Sequence, residues 1–175
     1  MVRVFASWLY SFDPLNEVPP SGLISGKPRR TRPYIYTDQQ VVQIVAKARR
    51  LRSFYGLRGW TCATLFGLIA VTGLRVSEAL GLDDKDVDLD PAVLTINRTK
   101  NGRSRSVPLL PCAAERLRSY RAERNRIVGR GAKPFFVHEN GERLGDCSIR
   151  YNFALVCQGI RLRELQVFKK ARVAQ

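Results

Sequence analysis

The chain has 175 residues, 45% of them hydrophobic and 26% charged, with a formal net charge of +15. That length and balance suit one globular domain, alone or with a fragment of another, and exclude a disordered chain. The longest apolar run, Ala63–Val71, is too short to span a bilayer, and a surplus of fifteen positive charges points to a polyanion partner, of which nucleic acid is the usual one.

In chain order, residues 2–12 place Val4, Phe5, Trp8 and Leu9 on one side of a helix, an apolar face that needs a partner surface. Residues 13–33 contain five prolines and end in Lys27, Arg29, Arg30 and Arg32, which reads as a basic linker. Thr37 with Gln40 predicts a capping box. Val41, Ile44, Val45 and Ala48 follow at helical spacing, and Arg49, Arg50 and Arg52 crowd the end, where cations suit the helix dipole. Trp60–Thr72 reads as a buried helix stopped by Gly73, and Ser77–Leu80 as a single further turn. Residues 86–109 are β-like: Val93–Ile96 is a strand, Asn101-Gly102 a hairpin turn, and Ser104–Leu109 the returning strand. Pro111 opens a helix to about Ile127, with Leu117 and Tyr120 inward. Pro134–His138 reads as a short strand and Asn140-Gly141 as a second turn. Asp146 or Ser148 is expected to cap a last helix carrying Ile149, Phe153 and Val156. The expected fold is α+β, mostly helical with a small antiparallel sheet.

Charge is unevenly spread. Nine Lys/Arg between Lys27 and Arg58 face the single acid Asp38, and eleven between Arg98 and Lys133 face Glu115 and Glu123. Acids gather instead at Asp83, Asp84, Asp86, Asp88 and Asp90. The expectation is a basic face that displaces counterions from a phosphate backbone. The four cysteines, Cys62, Cys112, Cys147 and Cys157, form no C-x-x-C pair, and His138 is the one histidine available to join them. Scattered free thiols in a reducing cytoplasm are expected, with no metal site and no secretory signal at the start.

Two residues could carry chemistry. Arg75 stands in Thr72-Gly-Leu-Arg75-Val-Ser-Glu78-Ala-Leu80, directly after the apolar helix. A carboxylate three residues on can hold its guanidinium in one pose, which suits gripping a phosphate. On spacing alone, a structural arginine bridging a helix end to Glu78 is the stronger reading. Lys100 stands at the hairpin tip, flanked by Arg98, Arg103 and Arg105. A tip can dip a lysine into a groove, although a solvated turn lysine is the stronger reading for that residue alone.

Together the segments change the balance. The Arg75 block, Asp86-Val-Asp-Leu-Asp90, and Leu94-Thr-Ile-Asn-Arg-Thr-Lys100-Asn-Gly-Arg-Ser-Arg-Ser-Val-Pro108-Leu resemble, in order and spacing, the catalytic domain of the tyrosine recombinase (phage integrase) family. Phe135–Leu144 is similar to that family's next hairpin, and Ser148–Phe153 to the helix after it. The resemblance covers roughly residues 34–165. It implies a metal-free and cofactor-free site in which a tyrosine attacks the scissile phosphate of double-stranded DNA and two arginines stabilise the phosphoryl oxygens. By this resemblance Arg75 is the first arginine, Glu78 its supporting acid, and Lys100 the acid for the leaving 5′-oxygen. Arg29, Arg30, Arg32, Arg98, Arg103 and Arg105 are then expected to contact DNA.

The family's H-x-x-R box should lie after residue 160 and its nucleophilic tyrosine further on. His138 is followed three positions later by Gly141. Tyr10, Tyr34, Tyr36, Tyr55, Tyr120 and Tyr151 all precede the expected place; Tyr34 and Tyr36 suit packing of the linker or touching DNA. The expectation is therefore a C-terminally incomplete catalytic domain over residues 34–175, preceded over residues 1–33 by the end of a core-binding domain helix and its linker. Such a chain would bind DNA in the cytoplasm, away from membranes, with other recombinase subunits as further partners and without transferring strands. The alternative is a non-enzymatic DNA-binding regulator derived from an integrase. Two further readings are completion of the site by another chain, and a fold weakened because the Trp60–Val71 helix lacks cover.

Overall fold

In the computed structural model, residues 2–20, 34–97 and 104–162 are described. They belong to two compact units, Met1–Ile35 and Tyr36–Gln175. In the first, Val2–Phe12 forms helix α1. Its aromatic side is a ladder: Phe5 and Trp8 are 6.0 Å apart, and Trp8 and Phe12 4.8 Å. No residue of α1 is buried.

The second unit is built on a long apolar helix. Helix α2, Asp38–Arg49, begins with the expected capping box, Gln40 N–H donating to Thr37 Oγ1 and Thr37 N–H to Gln40 Oε1. Helix α3, Leu57–Thr72, is buried on most sides. It starts three residues earlier than its sequence suggests, because its first turn is capped from far away. Glu139 Oε1 accepts the backbone N–H groups of Tyr55 and Leu57 at 3.0 and 3.2 Å. The α2 and α3 backbones approach so closely that a Cβ at Gly59 would stand 2.5 Å from the Arg49 carbonyl oxygen, which leaves room only for glycine. At this corner the Arg49 guanidinium stacks 3.9 Å from the centre of the Trp60 ring.

Helix α4, Val76–Gly81, follows, then one 3-10 turn at Asp84–Asp86. Strands β1 (Val87–Asp88), β2 (Val93–Ile96) and β3 (Arg105–Pro108) make an antiparallel sheet in the order β1-β2-β3, with Leu94 opposite Val107 and Ile96 opposite Arg105. Helix α5, Pro111–Val128, opens on its proline and buries Leu117 and Tyr120. Helix α6 is Asp146–Gly159. The fold is therefore α+β, helical with one small antiparallel sheet.

Three expectations need correction. Pro134–His138 is not a strand: Asp83–Pro134 and Val137–Arg143 are isolated bridges. Phe135, Phe136 and Val137 are buried in succession rather than alternately, which suits a segment threaded through the core and not a two-faced strand. The rings of Phe135 and Phe136 pack against Tyr120 at 5.5 and 5.4 Å and against each other at 5.0 Å, and the Tyr120 hydroxyl accepts the Val137 N–H. Neither Asp146 nor Ser148 caps α6. Its N-cap is Gly145, and Asp146 pairs instead with Arg150 one turn on. The basic run 98–133 is also not wholly a surface feature. Arg124 is 1% exposed and ion-pairs with Asp84 at 2.9 Å, and Arg121 reaches the same carboxylate at 3.1 Å.

Phe66 and Ile69 of α3 face an apolar groove of about 710 Å³, closed by Val45, Val76, Ile149 and Phe153. The ring of Tyr36 packs against Phe153 at 6.0 Å. Among the described residues no helix is long and apolar enough to cross a membrane.

Candidate functional site

The turn between α3 and α4 places one arginine at the surface by four successive local choices. The Thr72 hydroxyl donates to the Leu68 carbonyl at 2.6 Å and accepts the Leu74 N–H at 3.4 Å. Gly73 ends α3 in the left-handed region, φ +66°, with its N–H on Ile69 O, a conformation that costs glycine little. Leu74 is driven into the core at 3% exposure. Arg75, next along, is the N-cap of α4, and its side chain stays 65% exposed.

Glu78, three residues on, is the partner expected from the spacing, yet it does more than pair with Arg75. Its carboxylate is 5% exposed. Oε2 accepts the Arg75 backbone N–H at 3.0 Å and Nη2 of Arg105 at 2.9 Å. Oε1 lies 3.6 Å from Arg75 Nη1 and accepts no hydrogen bond from any described residue. Arg105 is the first residue of β3, and its side chain is 47% exposed. One sunken carboxylate thus underlies two guanidinium heads that remain in water. Two positive heads over a single negative charge leave the cluster cationic, so a second anion is still attracted from the solvent side.

The base of the β2–β3 connection is latched beside this cluster. Ser104 Oγ donates to Asn97 Oδ1 at 3.3 Å, and Asn97 Nδ2 donates to Asp86 Oδ1 at 2.7 Å. A cleft of about 650 Å³ lies here, lined by Ser77, Glu78, Asp86, Asn97 and Lys133 among others. The acids near it serve the fold. Arg143 donates to the carbonyls of Leu80 and Leu82 at 2.8 and 3.1 Å and pairs with Asp83, which closes the C-terminal end of α4.

Of the residues expected to carry function, Arg75, Glu78 and Arg105 are brought together. Lys100, Arg98, Arg103, Arg29, Arg30 and Arg32 lie outside the described residues. His138 sits in the turn before Asn140, its N–H on the Glu142 carbonyl, and Tyr151 is exposed on α6. The link between Glu78 and Arg105 escaped sequence reasoning because the two are 27 positions apart. The signal that could have found it is the sheet register. Pairing Ile96 with Arg105 fixes which residue of the returning strand lies at the sheet end next to α4.

Residues 35–166 match the phage integrase family. The protein y4rB of Sinorhizobium fredii, whose name assigns it by inference to the integrases and recombinases, is 40% identical over 167 residues, covering 93% of this chain and 53% of its own. The tyrosine recombinase XerC of Rhodospirillum centenum is 33% identical over 145 residues, covering 82% of this chain and 41% of its own. The chain thus spans about half the length of the curated relatives it matches. Among solved structures, the XerH site-specific recombinase bound to palindromic difH substrate, a post-cleavage complex, superposes with a TM-score of 0.63 at 18% identity, over 92% of this chain and 47% of that one. XerA recombinase gives a TM-score of 0.59 at 19% identity, over 85% of this chain and 49% of that one. At such identity the likeness is one of fold.

Proposed function

Since the chain belongs to the phage integrase family, we propose that its second unit is the first-arginine half of a DNA cleavage and rejoining site. The arrangement of Arg75, Glu78 and Arg105 carries this reading: the carboxylate is sunk into the fold while the guanidinium heads stay in water. A purely structural ion pair gains nothing from that exposure, whereas a phosphate receptor needs it.

In this reading double-stranded DNA is the substrate, the role that difH plays for XerH in its solved complexes. Arg75 forks onto two nonbridging oxygens of the scissile phosphate and stabilises the charge that builds there. Glu78 orients it. Lys100 gives a proton to the leaving 5′-oxygen. Arg29, Arg30, Arg32, Arg98 and Arg103 supply positive charge along the duplex backbone. The reaction also needs a nucleophile and a second arginine. No H-x-x-R sequence occurs in the 175 residues. These residues by themselves are therefore expected to bind duplex without forming a covalent link.

The test is duplex binding as a function of salt. Binding should fall steeply with salt, and Arg75→Met should weaken it and reduce the log–log slope by about one phosphate contact. Binding that is absent, insensitive to salt, or unchanged by Arg75→Met would overturn the reading. So would a band of these residues joined to DNA that survives SDS.

A further inference from the structure

We infer that Arg105 is a positioning residue: it orients the Arg75 guanidinium through Glu78, rather than adding one more contact to the DNA backbone. The inference rests on the phosphate-binding reading of Arg75 and assigns a task within that site.

The geometry gives Glu78 two unlike oxygens. Oε2 is saturated by two donors, the Arg75 backbone N–H at 3.0 Å and Arg105 Nη2 at 2.9 Å. Oε1 is left to the Arg75 side chain, at 3.6 Å. A carboxylate fixed at one oxygen has its plane and its other oxygen fixed as well. Without Arg105, Oε2 would keep only the backbone N–H, and the carboxylate could turn toward Arg75 or away from it. Arg105 therefore selects the orientation in which the free oxygen meets Arg75. An acid buried to 5% exposure transmits that choice well, because water does not compete for it.

The placement of Arg105 extends the consequence. It opens β3 directly opposite Ile96. Its chain neighbour Ser104 is latched to Asn97, which is pinned in turn to Asp86. The connection that carries Lys100 thus leaves and re-enters the fold at a point tied to Glu78.

The experiment follows the Arg75 Nε–H by 15N NMR in the free 175-residue chain, in wild type, Arg105→Met, Arg105→Lys and Glu78→Gln. Arg105 lies half-exposed on an edge strand, and Glu78→Gln provides a second route should Arg105→Met melt early. The expected result is faster exchange of the Arg75 Nε–H in Arg105→Met, by about two- to fivefold, the coupling an exposed ion pair permits. Arg105→Lys should recover part of the effect, and in the Glu78→Gln background Arg105→Met should add nothing. Unchanged Arg75 exchange, or an equal effect of Arg105→Met with and without the carboxylate, would overturn the inference. Duplex binding gives the second readout. Arg105→Met should weaken it in the wild-type background and leave Arg75→Met no weaker; an equal loss in both backgrounds would make Arg105 a direct contact and refute positioning. Should Arg75→Met itself leave duplex binding unchanged, the phosphate reading fails, while the Nε–H exchange still decides the link between Arg105 and Arg75.

Discussion

Two carboxylates of the second unit each hold two arginines, and they do so in opposite senses. At Glu78 the acid is sunk and the guanidinium heads of Arg75 and Arg105 are outside. At Asp84 the acid is 38% exposed and the guanidinium of Arg124 is inside, 1% exposed, with its donors also on the carbonyls of Pro134 and Phe135 and its charge 5.5 Å from the Phe135 ring. The ion-pair chemistry is the same, so the difference lies in which partner faces water. An arginine walled in by carbonyls and an aromatic ring has no coordination left for a ligand. One whose acid partner lies beneath it keeps its outer edge free. A net charge of +15 therefore overstates the charge offered to a polyanion, because some of it is committed inside the fold.

The largest expected effect falls on the inward pair. Asp84→Ala leaves the Arg124 guanidinium buried without its counter-charge, which should cost about 3 kcal/mol in urea unfolding. Duplex binding, measured well below the melting temperature, should be unchanged. A loss of affinity without a loss of stability would erase the distinction between the two clusters.

A smaller effect should come from the turn that aims the outward cluster. Gly73→Ala forces a Cβ into the left-handed region at φ +66° and should destabilise by about 1 kcal/mol. Nothing lies within 4 Å of that Cβ, so the cost is backbone strain and not a clash. Because the same turn leads through Leu74 to Arg75, duplex affinity should fall with stability here, unlike at Asp84. Affinity retained at full strength would mean that the position of Arg75 does not depend on the turn.

What could be read in the sequence was local. The capping box at Thr37–Gln40, the stop at Gly73 and the proline opening α5 each depend on neighbours within one turn of helix, and each stands where the residues put it. What could not be read depended on residues distant in sequence. The start of α3 was misjudged because its cap, Glu139, is 82 positions from Leu57. The strand expected at Pro134–His138 failed because burial there is continuous, and only the packing of α5 against it shows why. Arg75 and Glu78 could be paired on spacing, whereas Arg105 needed the register of β3 to reach them. Likewise Arg105 and Arg124 look alike as letters, and only the fold turns one outward and the other inward.

Glu139 sharpens the comparison by supplying a third carboxylate, one that holds backbone N–H groups where the other two hold arginines. Burial acts to raise its carboxyl, but the hydrogen bonds from Ser53, Leu57, Tyr55 and Phe54 prevail and hold it below the ordinary value of 4.5. Its charge also faces the positive end of α3. A carboxyl with a depressed folded-state value adds stability that is fully present above its unfolded-state value and disappears as pH falls through the folded one. Glu139→Gln keeps the shape and one acceptor, so it should destabilise by only about 1 kcal/mol near neutral pH. The gap between wild type and variant should stay constant down to about pH 5 and close below pH 4.5. A gap that persists unchanged into acid would mean that shape, and not charge, is what Glu139 contributes to the start of α3.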